Sequence, residues 1–358
     1  MDSQLLLTCL LVIGLSAGAS YGMSFVSRWI AKRAKAIDEP KGGKKIHRVA
    51  TPLFGGLGLF VVGMVGVAGM AKLGWLSPAL STTQLLGFGL GAFILLVVGL
   101  IDDRWVLPPR VLLPLYALAC LCVVVSGTSV RLITNPAGGV FSLVTDQWSF
   151  LGGRFLFAWP ADILTVIWLL VLLFATKLMD GLDGLVSGQA SIGAGIILLL
   201  CLLPAYHLPA IALLSALMLG AYLGFLPANI FPAKQFLGES GSTLAGFMLG
   251  FLAIASGAKL ATALMAVGVA LIDIALVIFG RMRRRAPITQ GDRTHLHHQL
   301  LDAGFTQRRA VGILWSIGLV FGLAALAFQT RGKLILFALL IVVTSSLSIY
   351  ATHRSKRL

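Results

Sequence analysis

Apolar residues dominate this chain in long runs that short polar segments separate. A helix needs about 20 apolar residues to cross the hydrocarbon core of a bilayer. Runs of about 14 or more, extended by a few flanking residues, predict eleven such helices. They lie near Gln4–Val26, Leu53–Leu73, Leu85–Ile101, Val111–Ser126, Ile163–Thr176, Gly188–Leu203, Pro209–Leu226, Ser242–Ser256, Leu260–Gly280, Ala310–Phe328 and Lys333–Tyr350. The pattern predicts an all-α polytopic membrane protein with a single integral membrane domain, residues 1–358.

Basic residues fall unequally between the two sides of the predicted bundle. With the N-terminus outside, 22 of the 28 Lys and Arg residues lie on the cytoplasmic side and 6 lie outside. Cytoplasmic loops of membrane proteins carry such an excess of positive charge. The C-terminus is therefore expected in the cytoplasm, and the internal cytoplasmic loops are expected at about 27–52, 102–110, 177–187, 227–241 and 281–309.

Composition excludes two broad classes of protein. Of 358 residues, 58% are hydrophobic and 11% are charged, with a mean hydropathy of +0.95. A soluble domain carries roughly 25% charged residues, and a disordered chain has low hydrophobicity. In a membrane protein, a net charge of +15 reflects the excess of basic residues in cytoplasmic loops and contact with anionic lipid. The bilayer is therefore an expected partner, and nucleic acid is not. All four cysteines lie in apolar runs, which argues against a disulfide or zinc framework.

Acidic residues and histidines gather on the predicted cytoplasmic side. Nine of the thirteen carboxylates lie there, as do five of the six histidines. Acidic residues contribute little to membrane topology, so the charge rule does not explain this clustering. Carboxylates at the ends of several separate helices predict one polar site.

Two motifs in this set are pairs of aspartates. Asp102 and Asp103 follow the third run directly, and Asp180 and Asp183 lie in the segment Asp-Gly-Leu-Asp-Gly after the fifth. Adjacent carboxylates at a membrane boundary are tolerated when cations or phosphates are near, and one can act as a general base. The alternatives are a solvated helix cap for the first pair and an ordinary Asp-Gly turn for the second.

Two further motifs combine polar residues with glycine or histidine. Glu239 lies in Phe-Leu-Gly-Glu-Ser-Gly-Ser, where a carboxylate can hold a metal while free N–H groups meet phosphate; the alternative is a helix N-cap. The segment Gly291–His298 holds Arg293 and three histidines, which suit a diphosphate. Zinc is less favoured there, because no cysteine or nearby carboxylate pattern completes a tetrahedral site.

These four motifs, in this order, resemble the polyprenyl-phosphate N-acetylhexosamine-1-phosphate transferases, glycosyltransferase family 4. The resemblance runs from about Asp38 to Leu301 and includes the first cytoplasmic loop. Asp273, a charge inside the ninth run, also resembles a family position, although it could equally be a buried, paired acid. The form Asp-Arg-x-His-x-His-His is that of the GlcNAc-type branch. The peptidoglycan branch has a triple His ending in Phe-Glu, which this chain lacks.

The resemblance implies a reaction and a location. A UDP-N-acetylhexosamine, most simply UDP-GlcNAc, would donate its sugar 1-phosphate to undecaprenyl phosphate and release UMP. This would be the first membrane step of a cell-envelope glycan pathway, at the cytoplasmic face of the bacterial inner membrane. Mg²⁺ (or Mn²⁺) is the implied cofactor, and a homodimer is one assembly that the resemblance leaves open.

The resemblance also implies roles for individual residues. Asp102 would be the base toward the lipid phosphate, supported by Asp103, and Asp180 would organise the phosphate and metal region. Metal ligands would be Asp180 and Glu239, with Asp273 in a supporting position. Substrate-binding residues would be Lys45, His47, Arg48, Lys177, Asp183, Phe236, Asp292, Arg293, His295, His297 and His298. Asp183 and Phe236 would contact uracil, while Arg293 and the histidines would hold the diphosphate and sugar.

Two positions depart from the family pattern, and several alternatives stay open. Lys177 stands where the family usually has Asn, and Glu239 stands where it usually has Asp. A protonated lysine cannot ligate Mg²⁺, so these departures are expected to alter the geometry of metal binding. Within the family, the donor could be another UDP-sugar, such as GalNAc, a deoxyhexosamine or phospho-MurNAc-pentapeptide, and a covalent aspartyl-phosphate is an alternative mechanism. Outside it, a membrane transporter or lipid-binding protein could use the same polar cluster.

Overall fold

The computed structural model describes residues 2–40, 49–77, 79–150, 155–257, 260–283, 285 and 294–357. Over these residues the chain forms twelve α-helices and three short antiparallel ribbons. The helices are α1 (Ser3–Arg33), α2 (Gly55–Lys72), α3 (Thr82–Trp105), α4 (Pro109–Val125), α5 (Ala161–Met179), α6 (Leu185–Leu202), α7 (Pro209–Asn229), α8 (Gly238–Ala255), α9 (Leu260–Arg283), α10 (Leu296–Asp302), α11 (Gln307–Ala327) and α12 (Thr330–Ser355). The strands are β1 (Ile37–Asp38), β2 (Thr51–Pro52), β3 (Leu132–Thr134), β4 (Val140–Ser142), β5 (Val144–Phe150) and β6 (Phe155–Pro160).

The prediction of an all-α polytopic membrane protein is confirmed. Each of the eleven apolar runs coincides with a helix, namely α1 to α9, α11 and α12. Among the described residues, nine helices are long and apolar enough to cross a membrane; α4, with 17 residues, and α8 are not in that set. Eleven crossings and the sidedness of the termini stay predictions.

Helix ends differ from the predicted boundaries because polar residues extend several helices beyond their apolar runs. Helix α1 continues to Arg33, and α3 continues through the two aspartates to Trp105. Lysine and arginine in the last turn of a helix interact favourably with its dipole, which supports such extensions. The predicted loop 281–309 also contains the short helix α10, which the apolar pattern does not reveal.

Burial separates central helices from peripheral ones. In the most apolar 18-residue window of each helix, 83% of α6 and 78% of α7 is buried, against 17% of α1 and of α12. Large apolar side chains on the outer helices are exposed, including Leu15 and Ile335. Apolar residues that face outward over whole helices are expected where the surrounding solvent is lipid.

The segment between α4 and α5 forms two ribbons at one end of the bundle. Strand β3 pairs with β4, with Ile133 opposite Phe141, and β5 pairs with β6, with Trp148 opposite Phe157. The two rings of the second pair stack with centroids 5.6 Å apart. At the other end, β1 and β2 join the chain leaving α1 to the start of α2.

Helices α1 and α7 pack closely enough for backbone to meet backbone. A Cβ at Gly224 would lie 2.1 Å from the carbonyl oxygen of Ala17. The facing side of α1 is lined by the buried serines Ser16, Ser20 and Ser24. Small residues permit this approach, as is common between membrane helices.

Gly224→Ala should therefore destabilise the fold. Since the clash is with backbone, the helices must separate, and overpacking of this kind typically costs about 1–3 kcal/mol. Thermal unfolding of the purified protein in detergent would measure the effect as a lower Tm. The matched control is Gly18→Ala, because nothing lies within 4 Å of a Cβ there. Equal melting temperatures for the two variants would contradict the close packing of α1 on α7.

Candidate active site

A polar cavity of about 620 Å³ opens where many helices end or begin. Its lining comes from the chain after α1, the ends of α3, α5 and α7, and the starts of α8 and α11. We call it the carboxylate cavity. The residues that line it include Lys35, Asp38, Asp102, Asp103, Arg104, Lys177, Asp180, Asp183, Asn229, Phe236, Glu239, His298 and Gln307. Eight of the residues singled out from the sequence thus meet in one place: Asp102, Asp103, Lys177, Asp180, Asp183, Phe236, Glu239 and His298.

The two adjacent aspartates at the end of α3 have different surroundings. Asp103 accepts a hydrogen bond from the backbone N–H of Glu239 through Oδ1, at 2.7 Å. Its carboxylate therefore lies at the N-terminus of α8, where the helix dipole favours negative charge. Asp102 instead accepts from the N–H of Leu107 at 2.6 Å, within the turn that follows α3. Asp103 thus joins α3 to α8, while Asp102 stays with its own turn at the cavity wall.

Gly238 makes the contact between α3 and α8 possible. Its φ of +71° is in the left-handed region, which glycine adopts without strain. A Cβ at this position would lie 2.3 Å from Oδ2 of Asp103. A larger residue would therefore displace the carboxylate from the start of α8.

The turn between α5 and α6 holds the second pair of aspartates. Asp183 accepts from the N–H of Ala233 at 2.9 Å, which ties this turn to the loop between α7 and α8. Burial, together with the nearby charges of Glu239 and Asp183, raises the pKa of Asp180 to about 8. Asp180 is thus a carboxylate whose charged form would gain from a cation.

Lys177, Glu239 and Tyr116 form a cluster built from three helices. The ammonium Nζ of Lys177 lies 2.5 Å from Oε1 of Glu239 and donates to the hydroxyl of Tyr116 at 3.3 Å. Tyr116 in turn donates to the same oxygen of Glu239. Tyr116 lies on α4 and is fully buried. Sequence reasoning missed it, since one tyrosine within an apolar run gives no signal.

The loop before α8 is fixed on the start of α2, and this places Phe236 at the cavity. Phe236 donates its N–H to the carbonyl of Pro52 at 3.0 Å, and its own carbonyl accepts from Gly55. The carbonyl of Leu237 accepts from Gly56. Two of the N–H groups that any helix leaves unsatisfied at its start are thus paired by this loop.

Two buried amides support the same loop and were not predicted from the sequence. Asn229 donates to the carbonyl of Gln235 at 3.0 Å and accepts from the hydroxyl of Ser187 at 2.7 Å. Gln235 donates to the hydroxyl of Ser27. This network connects the ends of α1 and α7 with the start of α6.

The histidine motif lies along α10, with only one of its rings at the cavity wall. His298 lines the cavity, whereas His295 and His297 are not part of its lining. His297 packs against the turn after α5: a Cβ at Gly181 would lie 2.3 Å from its Nε2. Burial lowers the pKa of His297 well below its usual range, as do the neighbouring rings of His298 and His295. Burial therefore favours the neutral form of His297, which packs against this turn.

Asp273 supports this motif from α9, outside the cavity. Its Oδ2 lies 2.8 Å from Nδ1 of His295, and its Oδ1 accepts from the N–H of Leu296 at 2.7 Å. The acid inside the ninth apolar run is thus buried and paired. It holds the start of α10 and pairs with His295, which is not part of the cavity lining.

Five predicted substrate-binding residues lie outside the described residues: Lys45, His47, Arg48, Asp292 and Arg293. Their assignment stays a prediction.

The described residues offer donors for a metal ion without forming a complete cage. Within the described parts of the chain, no group of three or more His, Cys, Asp or Glu residues is placed to hold a metal. Mg²⁺ usually needs only one or two carboxylates, with waters and substrate phosphates as its other ligands. Asp180 fits this requirement because of its negative surroundings, whereas Oε1 of Glu239 is already held by Lys177 and Tyr116.

Comparison with known proteins identifies the family. Residues 85–257 match the model described as Glycosyl transferase family 4. A relative from Bacillus subtilis (strain 168), named a probable undecaprenyl-phosphate N-acetylglucosaminyl 1-phosphate transferase, is 30% identical over 307 residues, which cover 84% of this chain and 79% of the relative. This chain belongs to glycosyl transferase family 4. The resemblance inferred from the four motifs is confirmed.

Two further relatives align over most of the chain. A protein of Mycolicibacterium smegmatis, named decaprenyl-phosphate N-acetylglucosaminephosphotransferase, is 32% identical over 381 residues, covering 93% of this chain and 88% of that protein. A protein of Escherichia coli (strain K12), named undecaprenyl-phosphate alpha-N-acetylglucosaminyl 1-phosphate transferase, is 25% identical over 296 residues, covering 80% and 74%. The GlcNAc-type branch inferred from the histidine motif agrees with these names.

Asp273→Ala should loosen α10 without unfolding the bundle. The substitution removes the acceptor of the Leu296 N–H, and loss of one hydrogen bond of about 1 kcal/mol corresponds to roughly fivefold faster amide exchange. Hydrogen–deuterium exchange of peptides covering 294–302 would measure it. Asp146→Ala, at an exposed position of β5, is the control and should leave these peptides unchanged. Unchanged exchange in both variants would show that Asp273 does not hold α10.

Proposed function

We propose that this protein transfers N-acetylglucosamine 1-phosphate from UDP-GlcNAc to a polyprenyl phosphate, undecaprenyl phosphate in particular, and releases UMP. The observation that carries the proposal is the carboxylate cavity, where Asp102, Asp103, Asp180, Asp183 and Glu239 meet at the ends of apolar helices. The names of the family members described above support the sugar and the lipid. A charged lipid headgroup at the membrane boundary and a nucleotide from the aqueous side can both reach such a cavity.

The reaction is an exchange at phosphorus. An oxygen of the lipid phosphate attacks the β-phosphorus that carries the sugar, and the bond from this phosphorus to the bridging oxygen breaks. UMP leaves with the electron pair. Transfers of this kind depend mostly on positioning and charge neutralisation. Asp102 would take the proton of a protonated lipid phosphate, and Asp103 would hold α8 in register for the reaction.

The other cavity residues would bind the donor. Phe236 would stack on uracil, and Asp183 would accept from its N–H. His298 would contact the diphosphate, together with Arg293 and the basic residues Lys45, His47 and Arg48. Mg²⁺ (or Mn²⁺) would be held by Asp180 and Glu239 with the donor phosphates. When bound, the ion supplies neutralising charge to the diphosphate.

The proposed function also includes an orientation of the protein in the membrane. The carboxylate cavity would face the cytoplasm of a bacterial inner membrane, because basic residues concentrate at that end of the helices. The ribbons β3–β4 and β5–β6 would then lie outside.

The rate of UMP release from a panel of UDP-sugars tests the proposed function. Purified protein with undecaprenyl phosphate and Mg²⁺ should release UMP fastest from UDP-GlcNAc, compared with UDP-GalNAc and UDP-glucose.

Asp102→Asn should keep the wild-type melting temperature and lower turnover by roughly 10²-fold or more, since general-base catalysis contributes that much. Near-normal turnover in the folded variant would remove Asp102 from the mechanism, and absence of UMP release from every donor by the wild type would contradict the proposal.

Cysteine labelling tests the orientation. With Cys122→Ala as background, because the other three native cysteines are buried, single cysteines would be placed at Arg357, after α12, and at Gln147, in β5. A membrane-impermeant maleimide should label Gln147→Cys in intact cells and should reach Arg357→Cys only after the membrane is opened. The reverse pattern would overturn the orientation.

A further inference from the structure

One basic side chain is built into the carboxylate cavity. Three described basic side chains, Lys35, Arg104 and Lys177, belong to its lining. Lys35 and Arg104 are exposed, whereas the side chains of Lys177 and Glu239 are only 22% and 12% exposed. Lys177 therefore does not extend into solvent, as a lysine at a helix end commonly does.

Three contacts hold the ammonium of Lys177 in place. It pairs with Glu239 at 2.5 Å, donates to the Tyr116 hydroxyl at 3.3 Å, and lies 5.2 Å from the centroid of the Tyr116 ring. The ring is itself fixed, because it is fully buried and packs edge-on against Phe174. Tyr116 thus holds Lys177 from within the protein core. The cluster of Tyr116, Lys177 and Glu239 takes one residue from each of α4, α5 and α8.

The position of this ammonium affects any divalent cation in the cavity. Glu239 and Asp180 both line the carboxylate cavity. A cation shared by these two carboxylates would lie near a fixed positive charge, and it would compete with that charge for Oε1 of Glu239. Repulsion between close charges grows as water is excluded.

We propose that Lys177 is a resident cation that competes with the divalent ion for Glu239. Before the donor binds, Lys177 and Tyr116 hold Glu239, so the free protein binds the divalent ion weakly. The diphosphate of the donor then adds the negative charge that the ion needs. Lys177 is a positioning residue in this arrangement. The inference rests on the proposed function only in that a divalent ion enters this cavity.

Binding of Mn²⁺ to the full-length protein without substrate tests this inference. Electron paramagnetic resonance of free Mn²⁺ gives the Kd directly and does not depend on turnover. Lys177→Met removes the charge and keeps the approximate length of the side chain, so it should tighten Mn²⁺ binding by about tenfold. Lys177→Arg should stay near the wild type, because it keeps the charge.

Lys35→Met is the matched control, since it removes one positive charge from the same cavity without touching Glu239. Its Kd should stay within about twofold of the wild type, as expected for an exposed, screened charge. Adding Glu239→Gln to Lys177→Met should abolish the gain in affinity. Should Lys177→Met not fold, Tyr116→Phe removes one tether while leaving the ring, and it should tighten Mn²⁺ binding in the same direction.

Equal Kd values for the wild type and Lys177→Met, or a gain that survives Glu239→Gln, would overturn the competition. So would the absence of Mn²⁺ binding in every variant. Failure of the proposed function is a separate outcome, because it would appear as absent UMP release while the ranking of Mn²⁺ affinities is retained.

Discussion

The hydrogen bond from the Glu239 backbone to Asp103 is the contact on which the geometry of the cavity depends. It joins the end of α3 to the start of α8 across 136 residues of chain. Carboxylates are costly inside a bilayer unless they find partners. Asp103 finds its partner in the unsatisfied N–H groups that begin α8. The bond places Glu239 beside Lys177 and leaves Asp102 at the cavity wall.

The sequence permitted prediction of the helices and the polar motifs because both have local signals. Long apolar runs identify α1 to α9, α11 and α12 by length alone, and paired aspartates stand out in a chain with few charges. Other features depend on contacts between distant residues. Tyr116 looks like any residue of an apolar helix, and the pairing of Lys177 with Glu239 joins α5 to α8. The turn of His295 toward Asp273 likewise follows only from how α9 and α10 pack.

Some polar residues in and around the cavity hold the framework, and others are those that we propose contact the substrates. Asp103, Asn229 and Gln235 pair with backbone groups and fix helix ends, and Asp273 does the same for α10. Asp102, Asp180, Phe236 and His298 line the cavity, and they are among the residues that we propose contact the ligands. Lys177 belongs to both groups, since Tyr116 holds its ammonium in place and this ammonium adds a positive charge to the cavity. On the competition proposed for Lys177, variation at Lys177 and Glu239 would change metal affinity while the helix framework is kept.

We infer that the helix ends joined by Asp103 form the binding site of the nucleotide diphosphate. A cryo-electron microscopy structure of the full-length protein with bound UDP-GlcNAc tests this most directly. We expect uracil stacked on Phe236, with the diphosphate between Asp180 and His298. Nucleotide density outside the carboxylate cavity, with these side chains more than one water layer from any phosphate, would contradict it.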